Sequence, residues 1–140
     1  MESFMPNPVA VLFAGLIPML LGSVWYGPLF GKMWMGMIGK TEEELRENFN
    51  PIKSYVFTFV MALVMGFILA HLLEAYSVAT SQTGLWEGMQ GGFWCWLGFV
   101  ITIGYQHIAF NDQKIGLYLL NMGYNLLALL GMGAILGIWR

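Results

Sequence analysis

Four windows of the sequence, residues 3–31, 54–73, 88–111 and 115–139, contain no Asp, Glu, Lys or Arg. Each reaches or exceeds the roughly 20 residues that carry an α-helix across a hydrocarbon core. Lipid offers no partner for a backbone N–H or C=O, which restricts spanning segments to helices or closed barrels. A barrel strand needs about ten residues of alternating polarity per crossing, and these runs are continuously apolar. The windows therefore predict an all-α membrane protein: four transmembrane helices in an up-down bundle, forming a single domain over 1–140, with spans at about 8–30, 54–77, 85–109 and 115–138. Only 10% of the residues are charged and 58% are hydrophobic, against about 25% charged in an average soluble domain.

The first span ends in Trp25-Tyr26-Gly27-Pro28-Leu29-Phe30-Gly31-Lys32-Met33-Trp34. Pro28 and the flanking glycines interrupt a helix, aromatics suit the headgroup layer, and Lys32 can snorkel to water. Trp25, Tyr26, Lys32 and Trp34 are accordingly expected as interface anchors. Met33, Trp34, Met37 and Ile38 fit one side of a short interfacial helix. Thr41 followed by Glu44 matches a capping box, so residues 41–49 read as a short surface helix ahead of Pro51. Pro18 lies mid-span, where a kink is expected. The leading residues carry no Lys or Arg, so the first span reads as uncleaved and not as a secretory signal.

Lys32, Lys40, Arg46 and Lys53 lie between the first and second spans and Lys114 between the third and fourth, against Arg140 alone at the opposite side. This asymmetry places the first and third loops in the cytoplasm and both termini outside. Small residues recur at helical intervals, at Ala62, Gly66 and Ala70, at Gly84, Gly88 and Gly92, and at Gly133 and Gly137, where helix backbones can approach closely. Such stripes suggest contact with a second copy or with a membrane-complex partner, in addition to the lipid bilayer. A net charge of −2 without a basic cluster gives no reason to expect nucleic acid. The single Cys95 excludes an intrachain disulfide.

Asn7-Pro8 opening the first span, the aromatic, glycine, proline and lysine order of residues 25–35, and Gly133-Ala134-Ile135-Leu136-Gly137-Ile138-Trp139-Arg140 at the end together resemble the DUF1761 family of small bacterial integral membrane proteins. The resemblance covers essentially the whole length, with Gly27 standing where the family commonly has Ser. It implies the four-span layout and an inner-membrane setting. The family is one of unknown function, so it implies no activity or catalytic residue.

Ionisable residues within a span are costly and mark candidate sites. His71 and Glu74 share a helix face. At about 1.5 Å rise per residue, His71, Glu74, Gln90 and Glu87 lie roughly 8, 13, 10 and 15 Å from mid-span toward one side of the membrane. They form a candidate layer for a proton, cation or small ligand, or else sit solvated or paired at the interface. His107 lies roughly 15 Å toward the opposite side, in a second polar layer with Tyr26, Tyr105, Gln106, Asn121 and, nearer the middle, Asn125. Asn121 and Asn125 are one turn apart and fit interhelical hydrogen bonds. His-x-x-Glu supplies only two metal ligands, with no further His or Cys at that depth, and no paired histidines suit a haem. No metal and no cofactor is expected.

Three functions stay open on the sequence. The chain reads as a non-enzymatic, self-associating membrane protein forming a pathway or binding pocket for an ion, lipid or small molecule. It also fits an accessory subunit of a larger membrane complex. A membrane enzyme would use His71 with Glu74 or Glu87 as acid and base, without support from any nucleophile or cofactor fingerprint.

Overall fold

A computed structural model describes residues 4–140 of the chain, and those residues contain helices and no strand. The first span comprises α1, Pro8–Val24, and a π-helical turn at Trp25–Leu29. Two short helices follow, α2 at Gly31–Ile38 and α3 at Glu42–Glu47. The second span is α4, Pro51–Thr80. The third strings together α5 at Leu85–Cys95, a second π-helical turn at Trp96–Val100, α6 at Ile101–Gly104 and α7 at Gln106–Asn111. The fourth is α8, Ile115–Ile138. Four helical stretches, Pro8–Leu29, Pro51–Thr80, Leu85–Asn111 and Ile115–Ile138, are long and apolar enough to cross a bilayer, matching the charge-free windows closely.

Two spans start with the same device. Asn7 Oδ1 accepts from the amides of Val9 and Ala10, with Pro8 as the first helical residue. Asn50 Oδ1 accepts from Lys53 N, with Pro51 in the same place. Proline suits the first helical position because that amide has no intrahelical partner to lose. The helix that carries the second span therefore starts at Pro51, ahead of the expected span limit near residue 54. Thr41 caps α3 as its spacing suggests, accepting from Glu44 N at 3.2 Å. Asp112 and Ser81 end their helices in the left-handed region, as does Gly39.

Packing follows the small residues. α8 touches all three other spans, most extensively α5, while α4 meets α5 only narrowly. A methyl group on Gly88 would run into the carbonyl of Gly133, and one on Gly137 into the carbonyl of Gly84. The two backbones are thus in direct contact, which glycine alone permits. Ala62, Gly66 and Ala70 are buried against α1 and α8, beside Ala10, Ala14 and Met132, all three fully enclosed or nearly so. The small-residue stripes all pack within the chain.

Burial is uneven along the bundle. In α4 the buried residues are Ala62, Gly66, Leu69, Ala70, Leu73 and Ser77, so the first three turns contribute none. Loops one and three share an end, because Met37 of α2 lies against Gly116 at the start of α8. Lys32, Lys40, Arg46, Lys53 and Lys114 belong to this basic end. At the other, terminal end, Phe13 packs on Trp139 and Arg140 reaches Glu74. The terminal end is tied by these side-chain contacts, while at the basic end the first three turns of α4 bury no residue.

Candidate functional site

The four residues of the first polar layer acquire separate partners. Glu74 Oε2 accepts from Arg140 at 2.7 Å, and Arg140 also donates to Ser77 Oγ at 3.0 Å. Gln90 accepts from the Tyr76 hydroxyl at 3.1 Å. His71 Nδ1 lies 2.9 Å from the Phe67 carbonyl of its own helix, and its ring meets Phe4 and Phe67 edge-on. Glu87 stays in the first turn of α5 beside Gly84, where a helix N-terminus favours negative charge. Glu74 and His71 are thus turned to different neighbours. Among the described residues, no group of three or more His, Cys, Asp or Glu could hold a metal ion.

The second layer does gather. Tyr26 donates a 2.6 Å hydrogen bond to Asn121 Oδ1, joining the first span to α8. Tyr26, His107, Asn121 and Asn125 line one cavity of about 580 Å³, together with Gln113, Tyr124 and an apolar wall that includes Phe99, Ile103 and Met122. Asn121 and Asn125 lie roughly 9 and 15 Å along α8 from Ile115 at about 1.5 Å per residue. Tyr105 and Gln106 do not line it: Tyr105 sits at the break between α6 and α7 with its ring toward Tyr118. His107 Nδ1 lies 3.1 Å from the Asn111 amide nitrogen. Asn125 is half-buried, lines the same cavity and makes no side-chain hydrogen bond to another described residue.

The chain kinks directly after Tyr26. Gly27 leaves helical geometry there, at φ −109° and ψ −105°, Pro28 supplies no amide, and Phe30 N bonds back five residues to the Trp25 carbonyl. Widened turns of this kind redirect side chains and recur at functional sites. Trp25 and Tyr26, expected as interface anchors, both reach α8: the Trp25 indole donates to the Leu120 carbonyl at 3.2 Å and its ring covers Gly123. Of the other expected anchors, Lys32 is exposed and Trp34 rests on Tyr26 with ring centroids 5.4 Å apart. Met33 faces outward, 53% exposed, while Met37 packs inward on Gly116.

The second π-helical turn mirrors the first. Trp96 donates to the Met122 carbonyl at 2.9 Å, and both turns carry tryptophan and glycine in the order Trp-x-Gly. α8 reciprocates, Tyr118 donating to the Ile101 carbonyl at 2.6 Å and Tyr124 to the Pro18 carbonyl at 2.8 Å. The helix runs through Pro18, whose carbonyl thereby gains a donor from another span. Tyr26 and Tyr124 touch edge-on, 5.3 Å apart. They also line a second cavity of about 640 Å³, bounded by Met19, Trp34, Phe49, Tyr55 and Thr58 among others. Sequence reasoning missed Tyr124, Gln113 and Arg140 as contributors, since nothing in residue spacing pairs positions 66 to 106 apart.

The family model described as a protein of unknown function, DUF1761, matches residues 9–137. Neither a curated protein nor a solved structure matches the chain.

Proposed function

The chain belongs to the DUF1761 family of proteins of unknown function, and from the cavity between its spans we propose that it is a multi-pass membrane protein that binds a small molecule near its basic end. The observation that carries this reading is Asn125. An amide within an apolar span ordinarily finds an interhelical partner, because an unsatisfied polar group in hydrocarbon is costly. Asn121 has such a partner in Tyr26, whereas Asn125 presents its amide to a 580 Å³ space that also contains His107 and Gln113. Sites for small ligands have this make-up, a mostly apolar wall with a few convergent polar groups, at volumes of roughly 300–1,000 Å³.

The excess of Lys and Arg at the basic end supports a cytoplasmic position for it, with the termini and the Glu74–Arg140 pair on the outer side. Among the described residues, no carboxylate lines either cavity, which argues against a cation pathway through them. Native mass spectrometry from nanodiscs tests the pocket. A bound non-protein mass is expected on the wild-type chain and is expected to be lost when Asn121→Leu and Asn125→Leu are combined. Identical spectra for the two proteins would overturn the reading.

A further inference from the structure

The polar lining of the 580 Å³ cavity begins at one end of the bundle and stops half-way along it. Gln113 and His107 stand at the turn between α7 and α8, where Asp112 is left-handed and Gln113 N donates back to the His107 carbonyl at 3.1 Å. His107 is exposed there, as are its neighbours Asn111 and Lys114. Asn121 follows about 9 Å along α8 from Ile115 and Asn125 about 15 Å, half the depth of a hydrocarbon core of roughly 30 Å. Past Asn125, from Leu126 to Ile138, α8 carries no polar side chain. That half is sealed: Leu129, Met132 and Leu136 are buried in one apolar cluster with Ala14 of α1 and Leu69 and Leu73 of α4. The side of the cavity that meets lipid is apolar as well, with Phe99 63% and Ile103 60% exposed. Hydrogen-bonding groups therefore lead from Asn125 only toward the aqueous turn.

Resting on the pocket reading above, we infer that this cavity is a blind vestibule open to water at the basic end, and that its guest is a small uncharged solute carrying both a hydrogen-bond donor and an acceptor. Among the described residues, no Asp, Glu, Lys or Arg lines the cavity, so a charged guest would exchange hydration for uncharged dipoles with no counter-ion. Tyr26 bonds Asn121 Oδ1, and the two N–H donors of that carboxamide remain beyond this bond. Asn125, one helical turn deeper, adds a carboxamide that both donates and accepts. A hydroxyl, amide or urea-like group matches such a pair. Water entering from the turn satisfies the same groups when no guest is bound, which removes the cost of placing Asn125 at mid-membrane. The apolar cluster beyond it makes the cavity a holding site and not a passage.

Thiol modification in nanodiscs, which bathe both faces in water, tests route and class together. In a Cys95→Ala background, single cysteines replace Val100 and Asn125 on opposite walls, so that either reports if the other fails to fold. Leu127→Cys, 43% exposed on the same helix, serves as the lipid-facing control, and Leu129→Cys, 5% exposed, probes one turn past Asn125. Three methanethiosulfonates with the same reacting group differ only in carrying a hydroxyethyl, an ethylsulfonate or an ethylammonium. Because the thiolate is the reacting form and hydrocarbon suppresses it, the hydroxyethyl reagent should modify Val100→Cys and Asn125→Cys at least about tenfold faster than Leu127→Cys. Scaled to the rates at Gln82→Cys in the exposed loop, it should outpace both charged reagents at Val100→Cys by about tenfold. Leu129→Cys should stay unmodified. Rates at Val100→Cys and Asn125→Cys no higher than at Leu127→Cys would overturn entry from water. A bound mass that still disappears in the Asn121→Leu, Asn125→Leu variant would then leave the pocket reading standing. Equal scaled rates for the three reagents would overturn the uncharged class, and modification of Leu129→Cys the blind end.

Discussion

The hydroxyl of Tyr26 and the carboxamide of Asn121 meet at 2.6 Å across a sequence separation of 95 residues, and the bond fixes the tyrosine that both cavities share. Tyr26→Phe and Asn121→Leu should each lower stability in nanodiscs by about 0.5–1.5 kcal/mol, the usual scale of an interhelical hydrogen bond. Combined, they should be non-additive by about 0.5 kcal/mol or more. Thermal unfolding of the four proteins of the cycle provides the check, and strict additivity would deny the bond energetic weight.

Gly88→Ala should be among the most damaging small changes in the chain. The added methyl would strike the Gly133 carbonyl, and helix backbones cannot yield as a side chain can. Overpacking of this kind typically costs about 1–3 kcal/mol. Gly36→Ala, in α2 with nothing near its Cβ position, serves as the comparison. It should be neutral or slightly stabilising, because alanine favours a helix by up to about 1 kcal/mol over glycine.

Glu74→Gln removes the charge that Arg140 pairs with at the terminal end. The side chains are 34% and 25% exposed, so solvent screens the pair, and a loss of about 1 kcal/mol or less is expected. The diagnostic is salt. Raising ionic strength should lower the melting temperature of the wild type toward that of Glu74→Gln and leave the variant nearly unmoved. A parallel salt response in both proteins would remove the pair from the stability of that end.

Orientation is open to direct labelling in a Cys95→Ala background. Glu43→Cys, on the exposed α3, should react with an impermeant maleimide only after the cells are opened. Gln82→Cys, between α4 and α5, should react in intact cells. The reverse pattern would put the cavity mouth on the outer face.

Span positions were legible in the sequence because a bilayer imposes one strong demand, an uninterrupted apolar length, and charge-free windows report it directly. Capping was also legible at Thr41, since its geometry is local. The depth estimate for Tyr26, His107, Asn121 and Asn125 gathered side chains that do share a cavity. The same estimate grouped His71, Glu74, Glu87 and Gln90, which depth alone cannot turn toward one another. Azimuth around each helix decides that, and it depends on the packing of α4 against α5 and on the reach of Arg140. The inward turn of Trp25 and Tyr26 was hidden for the same reason, since composition places aromatics near a span end without saying whether they face lipid or a neighbouring helix.

α8 is the fourth span to emerge during synthesis, yet the bonds from Trp25, Tyr26 and Trp96, and those made by Tyr118 and Tyr124, all have one partner on it. Until it is inserted, the indoles of the first and third spans have no carbonyl to meet, and the glycine face of α5 has no matching backbone. The earlier spans, of which only the first two pack extensively on each other, must therefore wait in the membrane as an incomplete set, and a nascent chain arrested before residue 115 should be a good substrate for membrane quality control. Release of the fourth span would convert that set into the finished bundle in one cooperative step.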